Sequence, residues 1–204
     1  EKSISARANK LHELRLKGGK KFSKSVIEVL VQLGMKDADF YVSVEKLIQF
    51  NDTGISKIQF MFNANLGAKP GEISKIASGG ELSRLMLAIT SLINQQQMMP
   101  TVIFDEIDSG VSGDVALKMG IILRRLSNEH QVVSITHSPQ IASKADAHYF
   151  VYKNHTTDRT LTRVKRLTEE ERVRSIAVML SSNPPSPSAI ENARDLLGVN
   201  RIYK

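Results

Sequence analysis

Apolar residues mark out the elements of the chain before any motif does. Ile4, Leu11 and Leu14 recur at heptad-like spacing, and Phe22, Val26, Leu30 and Leu33 continue an apolar stripe. Residues 1–33 therefore read as helix. Gly18-Gly19 sits between the two groups, and each glycine weakens a helix by about 1 kcal/mol relative to Ala. The pair is expected to kink or break the helix where a coiled-coil stem meets a globular head; the alternative is one surface helix with a flexible spot. Phe40 to Leu47 alternates sides as a half-buried strand does, and Ile58 to Phe62 reads as its hairpin partner. Between them, Asn51-Asp-Thr-Gly54 supplies turn chemistry. Residues 63–76 contain Gly67, Pro70 and Gly71 and read as a loop.

The second half alternates strand and helix. Residues 81–94 form a helix, 101–104 a short apolar strand of the kind buried in parallel sheets, 114–126 a helix, and 131–136 a second buried strand. Ser138-Pro139 begins a short helix, with Ser as cap and Pro at its first position. Tyr149 to Tyr152 and Leu161 to Lys165 pair as a hairpin, and helices close the chain at 169–180 and 188–197. A middle of alternating strand and helix, flanked by antiparallel pairs, argues an α/β fold.

Composition narrows the class. Of 204 residues, 41% are hydrophobic and 24% charged, ordinary values for a globular chain with its own core. The absence of cysteine excludes a disulfide scaffold and a thiolate metal site, and it suits the reducing cytosol. No apolar run approaches the roughly 20 residues of a membrane helix, so no membrane partner is expected. The opening segment is not a signal peptide, and it lacks an initiator Met, as a piece of a longer chain would. The net charge of +7 favours polyanions such as DNA. Nine cations, from Lys2 to Lys36, face only Glu1, Glu13 and Glu28 in the first segment. Either they contact DNA phosphates or they form the solvated face of a coiled coil. The absence of Trp argues against a base-stacking platform for single strands.

Three segments carry candidate chemistry. In Ala77-Ser78-Gly79-Gly80-Glu81 a Gly-rich loop runs into a helix. Ser78 and Glu81 have the spacing of a capping box. The same unpaired N–H groups and helix dipole can also receive a phosphate, which glycines let approach. Asp105 and Glu106 end an apolar strand, at the sheet edge where α/β proteins bind ligands. One carboxylate can hold Mg²⁺, directly or through water, while its neighbour polarises a water attacking a γ-phosphate. His137 ends the second apolar strand and can share that edge, within reach of a phosphate or the attacking water.

In this order, the Gly-rich loop, acidic strand, Asp108-Ser-Gly-Val-Ser-Gly113 and strand-His resemble the C-terminal lobe of ABC/SMC-like ATPase heads. Ala77 to Glu81 corresponds to the signature motif, Thr101 to Glu106 to Walker B, and His137 to the switch histidine. ASGGELSRLMLAI, IFDEIDSGVSG, THSPQIASKADAHYFVYK and the closing ENARDLLG are similar to bacterial RecN-type DNA-repair proteins, across residues 10–198. The resemblance implies a parallel-sheet core with flanking antiparallel strands and a coiled-coil stem remnant. Residues 1–36 would be the stem root and connecting helix, and residues 37–204 the lobe. It further implies two ATP molecules bound between two heads, a homodimer acting on DNA in double-strand-break repair, in the cytoplasm at the nucleoid. Asp105 would help hold Mg²⁺, Glu106 would be the catalytic carboxylate, and His137 would sense the γ-phosphate. Ser78, Gly79, Gly80 and Glu81 would contact the ATP of the partner head. Arg84 either supports that contact or pairs with an acid.

Two features depart from the pattern. Most such heads carry an Asp in the loop after Walker B where this chain has Ser112. No G-x-x-x-x-G-K-[ST] occurs anywhere, and Gly18-Gly19-Lys20-Lys21 lacks the first glycine and the spacing that wraps phosphates. The P-loop is therefore expected on an N-terminal lobe of the same protein, and this chain alone is expected to be inactive. Two other classes use the same residues: the head of a chromosome-organising SMC protein, and a non-catalytic DNA-binding or dimerisation module. The retained Asp105-Glu106 pair weighs against the last.

Overall fold

The computed structural model describes residues 2–67, 69–73, 79–94, 99–111, 113–155 and 159–199. Two compact units make up the chain, Glu1–Met99 and Pro100–Lys204.

The first unit is built on α1 (Lys2–Gln32), which runs unbroken through Gly18-Gly19. The helix does not break there, and tertiary packing accounts for its continuity. A Cβ on Gly19 would stand 3.2 Å from Val42 Cβ, so glycine lets the helix lie close on the following strand. Ser23 Oγ fixes that approach: it donates to Gly19 O (2.8 Å) and accepts from Val42 N (3.0 Å). Below it, Val26, Leu30 and Leu33 are wholly buried, each worth about 1.5–3 kcal/mol. Phe22 packs against Phe40 and Phe60 at ring-centroid distances of 6.2 and 6.1 Å, and those two rings lie 5.9 Å apart. Such contacts outweigh the propensity cost of two glycines. The helix ends in a Schellman motif: Gly34 has φ +82°, its N–H donates to Val31 O, and the N–H of Met35 donates to Leu30 O.

β1 (Asp39–Asn51) and β2 (Gly54–Asn63) form the antiparallel hairpin under α1. Asn51 Oδ1 accepts from the N–H and hydroxyl of Thr53, both at 2.9 Å, closing the turn. Farther along α1, His12 Nδ1 meets Ser56 Oγ at 3.0 Å and Arg15 donates to Thr53 O at 2.8 Å. The expected loop after β2 includes a short third strand, β3 (Gly71–Glu72), paired with Met61 and Phe62. α2 (Gly79–Asn94) completes the unit and buries Leu85, Leu87, Ala88 and Ile89.

The second unit opens as a βαβ: β4 (Thr101–Asp105), α3 (Gly113–Leu126) and β5 (Gln131–Ile135), with β4 and β5 parallel. α4 (Pro139–Ala142) follows, capped by Ser138, whose hydroxyl accepts from Ile141 N. Gly120 lets α3 meet α4: a Cβ there would stand 3.1 Å from Gln140 O. β6 (Tyr149–His155) and β7 (Thr160–Arg166) form an antiparallel ribbon. α5 (Glu169–Leu180) starts in a capping box between Thr168 and Glu171, and α6 (Pro187–Leu197) starts at Ser186. Their shared core holds Ala142, Ile176, Ala177, Ala189 and Ala193. No helix among the described residues is long and apolar enough to cross a membrane.

Candidate functional site

The parallel register sets the site. Phe104 pairs with Ser134 and Asp105 with Ile135. Both strands therefore release their chains at one edge, where Asp105-Glu106 and Thr136-His137 emerge side by side. The strands are not buried on both faces, as their apolar sequence led us to expect. Val102 and Phe104 face inward, while Ile103 (66% exposed), Val133 and Ile135 form an open apolar patch on the face that also carries Asp105. Sequence alone does not say which face of an apolar strand its own chain covers.

Beyond the strand ends the backbone turns sharply. Glu106 has φ +48°, the sole positive φ of a non-glycine among the described residues. A left-handed conformation costs an ordinary residue about 1–2 kcal/mol, and strain of this kind concentrates at functional sites. The turn is held from both sides: Glu106 N donates to Ile135 O, and Ser109 N donates to Glu106 O, each at 3.1 Å. Asp105 and Glu106 are both exposed.

Two residues later comes a group the sequence did not single out. Asp108 is completely buried. Its Oδ2 accepts from Thr136 Oγ1 at 2.5 Å, Ser138 N at 3.0 Å and His137 N at 3.2 Å. His137 Nδ1 lies 3.4 Å from the same oxygen, and the rest of the histidine side chain is 73% exposed. An Asp in a Gly/Ser-rich turn looks like ordinary turn chemistry; only the fold reveals its burial.

The Gly-rich segment belongs to the first unit. Ser78 and Ser112 lie outside the described residues, so the capping box expected at Ser78 is not observed in either sense. α2 starts at Gly79, which is exposed and has open space where a Cβ would stand. Among the described residues no packing contact requires that glycine. Gly80 is buried and Glu81 half-buried. Arg84 Nε donates to Gly80 O at 3.0 Å, back along its own helix, a third arrangement beside the two weighed above. Glu81 and Arg84 line a shallow groove with the turn from Gly34 to Asp37.

Mg²⁺ needs one or two carboxylates and completes its shell with water and phosphate oxygens. Asp105 and Glu106, exposed at a sheet edge, are donors of that kind. Among the described residues no group of three or more His, Asp or Glu could enclose a metal alone. The donor set fits an ion that arrives with a nucleotide.

No protein-family model matches the chain. Over 190 residues, 93% of its length, it is 40% identical to DNA repair protein RecN of Rickettsia prowazekii, covering 34% of that protein. It is also 40% identical over 173 residues to the RecN of Deinococcus radiodurans, which spans 85% of the chain and 30% of the relative. The chain thus spans about a third of the length of these curated relatives. Among solved structures, the Smc head domain of Pyrococcus furiosus, with an extended coiled coil and bound to the C-terminal domain of ScpA, matches with a TM-score of 0.60. That match has 17% identity and covers 85% of this chain and 41% of that one.

Proposed function

Since this chain is a RecN homologue over 93% of its length and has the fold of SMC heads, we propose that it is the C-terminal lobe of the ATPase head of a RecN-type DNA repair protein. The observation that carries this reading is the shared edge of β4 and β5, with Asp105, the strained Glu106 and His137 emerging together. In the full-length protein, Glu106 orients and polarises the water that attacks the γ-phosphate. His137 contacts the γ-phosphate. Asp105 would hold Mg²⁺, which neutralises charge on the phosphate oxygens. Ser78, Gly79, Gly80 and Glu81 contact the ATP of a second head through the N-terminus of α2. Engagement of two heads around ATP then holds DNA for double-strand-break repair, in the cytoplasm at the nucleoid.

The remaining nucleotide contacts fall to a P-loop on an N-terminal lobe of the same protein. Ile103, Val133 and Ile135 are its natural seat: an apolar patch beside Asp105 buries well against another lobe. Residues 1–36 form the root of the coiled coil and its connection, and residues 37–204 form the lobe. Ile4 and Leu14, exposed by 63% and 58%, offer the apolar seam that a second coil strand would cover.

Substitution Ser78→Arg in the full-length protein tests this reading. It puts a bulky cation where a hydroxyl and close backbone approach are needed. Nucleotide affinity should stay nearly unchanged, while ATP-driven dimer mass and turnover are lost. A capping role alone predicts a loss of about 1 kcal/mol of stability with dimerisation intact. Normal ATP-dependent dimers and turnover would remove the nucleotide role of this loop.

A further inference from the structure

Asp108 joins two turns that the proposed chemistry needs together. A carboxylate with no exposure is rare unless strongly partnered. Here every partner comes from Thr136, His137 and Ser138, the three residues that follow β5. One oxygen, Oδ2, takes all of these contacts. The other, Oδ1, is buried and finds no hydrogen-bond partner among the described residues. Asp108 itself belongs to the turn of Glu106, where Val111 N donates back to Asp108 O at 3.0 Å.

We infer that Asp108 is a positioning residue for His137. It fixes the backbone of the post-β5 turn through two N–H groups and a hydroxyl. It also presents a carboxylate oxygen 3.4 Å from His137 Nδ1. That negatively charged oxygen favours a proton on Nδ1 over one on Nε2, which leaves Nε2 as the nitrogen on the far side of the ring from Asp108. The clamp rests on these distances alone; its effect on turnover rests on the role proposed above for His137. Glu106, two residues upstream, is then held in a constant relation to that nitrogen.

Asp108→Asn separates this role from mere support. Asparagine keeps an oxygen for Thr136, His137 N and Ser138 N. Its amide takes the place of Oδ1, which has no partner to lose. What disappears is the negative charge facing Nδ1. Groups that orient a working side chain from behind cost about 10- to 100-fold in activity when changed. In the full-length protein, kcat should fall by at least about tenfold, with KM for ATP and the melting temperature little changed. In a His137→Ala background the same substitution should cost nothing further, because coupled residues are not additive. An undiminished loss in that background, or an unchanged kcat in the native one, would overturn the proposal.

A protein with no turnover at all would refute the function proposed above and leave the clamp to a second readout. In native protein labelled with ¹⁵N-histidine, His137 is identified among the five histidines by its loss in His137→Ala. At alkaline pH its ring shifts should show Nδ1 protonated and Nε2 bare. A ring protonated at Nε2 would overturn the clamp, whatever the fate of the ATPase.

Discussion

Adjacent glycines in α1 offer a paired test of how that helix lies on the following hairpin. Gly18→Ala and Gly19→Ala make the same chemical change one residue apart. In a helix interior, Ala is favoured over Gly by about 1 kcal/mol. At Gly18 the new Cβ meets nothing within 4 Å, so the full gain should appear. At Gly19 it meets Val42 Cβ at 3.2 Å, Val42 Cγ1 at 3.4 Å and Val44 Cγ2 at 3.7 Å. The helix must then lift from β1 by a few tenths of an ångström. That also stretches the 3.0 Å bond from Val42 N to Ser23 Oγ. Overpacking of this kind costs about 1–3 kcal/mol, which cancels or exceeds the propensity gain. Gly19→Ala should therefore be less stable than Gly18→Ala by roughly 1–3 kcal/mol, the overpacking cost itself. Urea denaturation followed by circular dichroism reads the difference as a shift in midpoint at constant slope. Equal stabilisation by both substitutions would refute the close contact of Gly19 with the hairpin. Destabilisation by both would restore the break that the sequence led us to expect.

Two further predictions address charge. Lys17, Lys20, Lys21 and Lys24 are all exposed, and their i, i+3, i+4, i+7 spacing gathers them on one face of α1. If that face contacts DNA, replacing all four with Gln should flatten the salt dependence of duplex binding by about 0.9 log–log units per lost phosphate contact; an unchanged slope sends the DNA site elsewhere. His148, half-buried, has its pKa lowered from the ordinary 6.5, first by desolvation and second by the Arg172 guanidinium. The unfolded chain therefore takes up this proton first as pH falls, so the native state keeps its stability above 6.5 and loses it from there down to the lowered value. His148→Asn should flatten the fall in denaturant midpoint between about pH 7 and pH 5; an unaltered fall assigns it to other groups.

Much of the candidate site could be read from residues alone, because local chemistry and fold agree there. Apolar runs ending in Asp105-Glu106 and in His137 mark strand ends, and a parallel register brings such ends to one edge. Ser138-Pro139 announces its helix through a cap that the fold then uses. What escaped depends on partners distant in sequence. Gly19 reads as a helix breaker until Val42 is placed against it. Asp108 carries no signal in its own segment; three donors from the residues after β5 converge on it only in the fold. Ile103 and Ile135 read as buried, yet more than half of each is exposed. β3 has only two residues, too few for any period to register.

The most direct test of the central claim is the steady-state ATPase rate of the full-length protein carrying Glu106→Gln. Glutamine keeps the shape of the side chain and removes the carboxylate that would accept a proton from the attacking water. General acid–base groups contribute about 10²- to 10⁴-fold, so turnover should fall by about 100-fold or more, while ATP still binds and engaged dimers accumulate. A variant that hydrolyses ATP at the native rate would contradict the account, because the carboxylate at the strained end of β4 would then have no part in the chemistry.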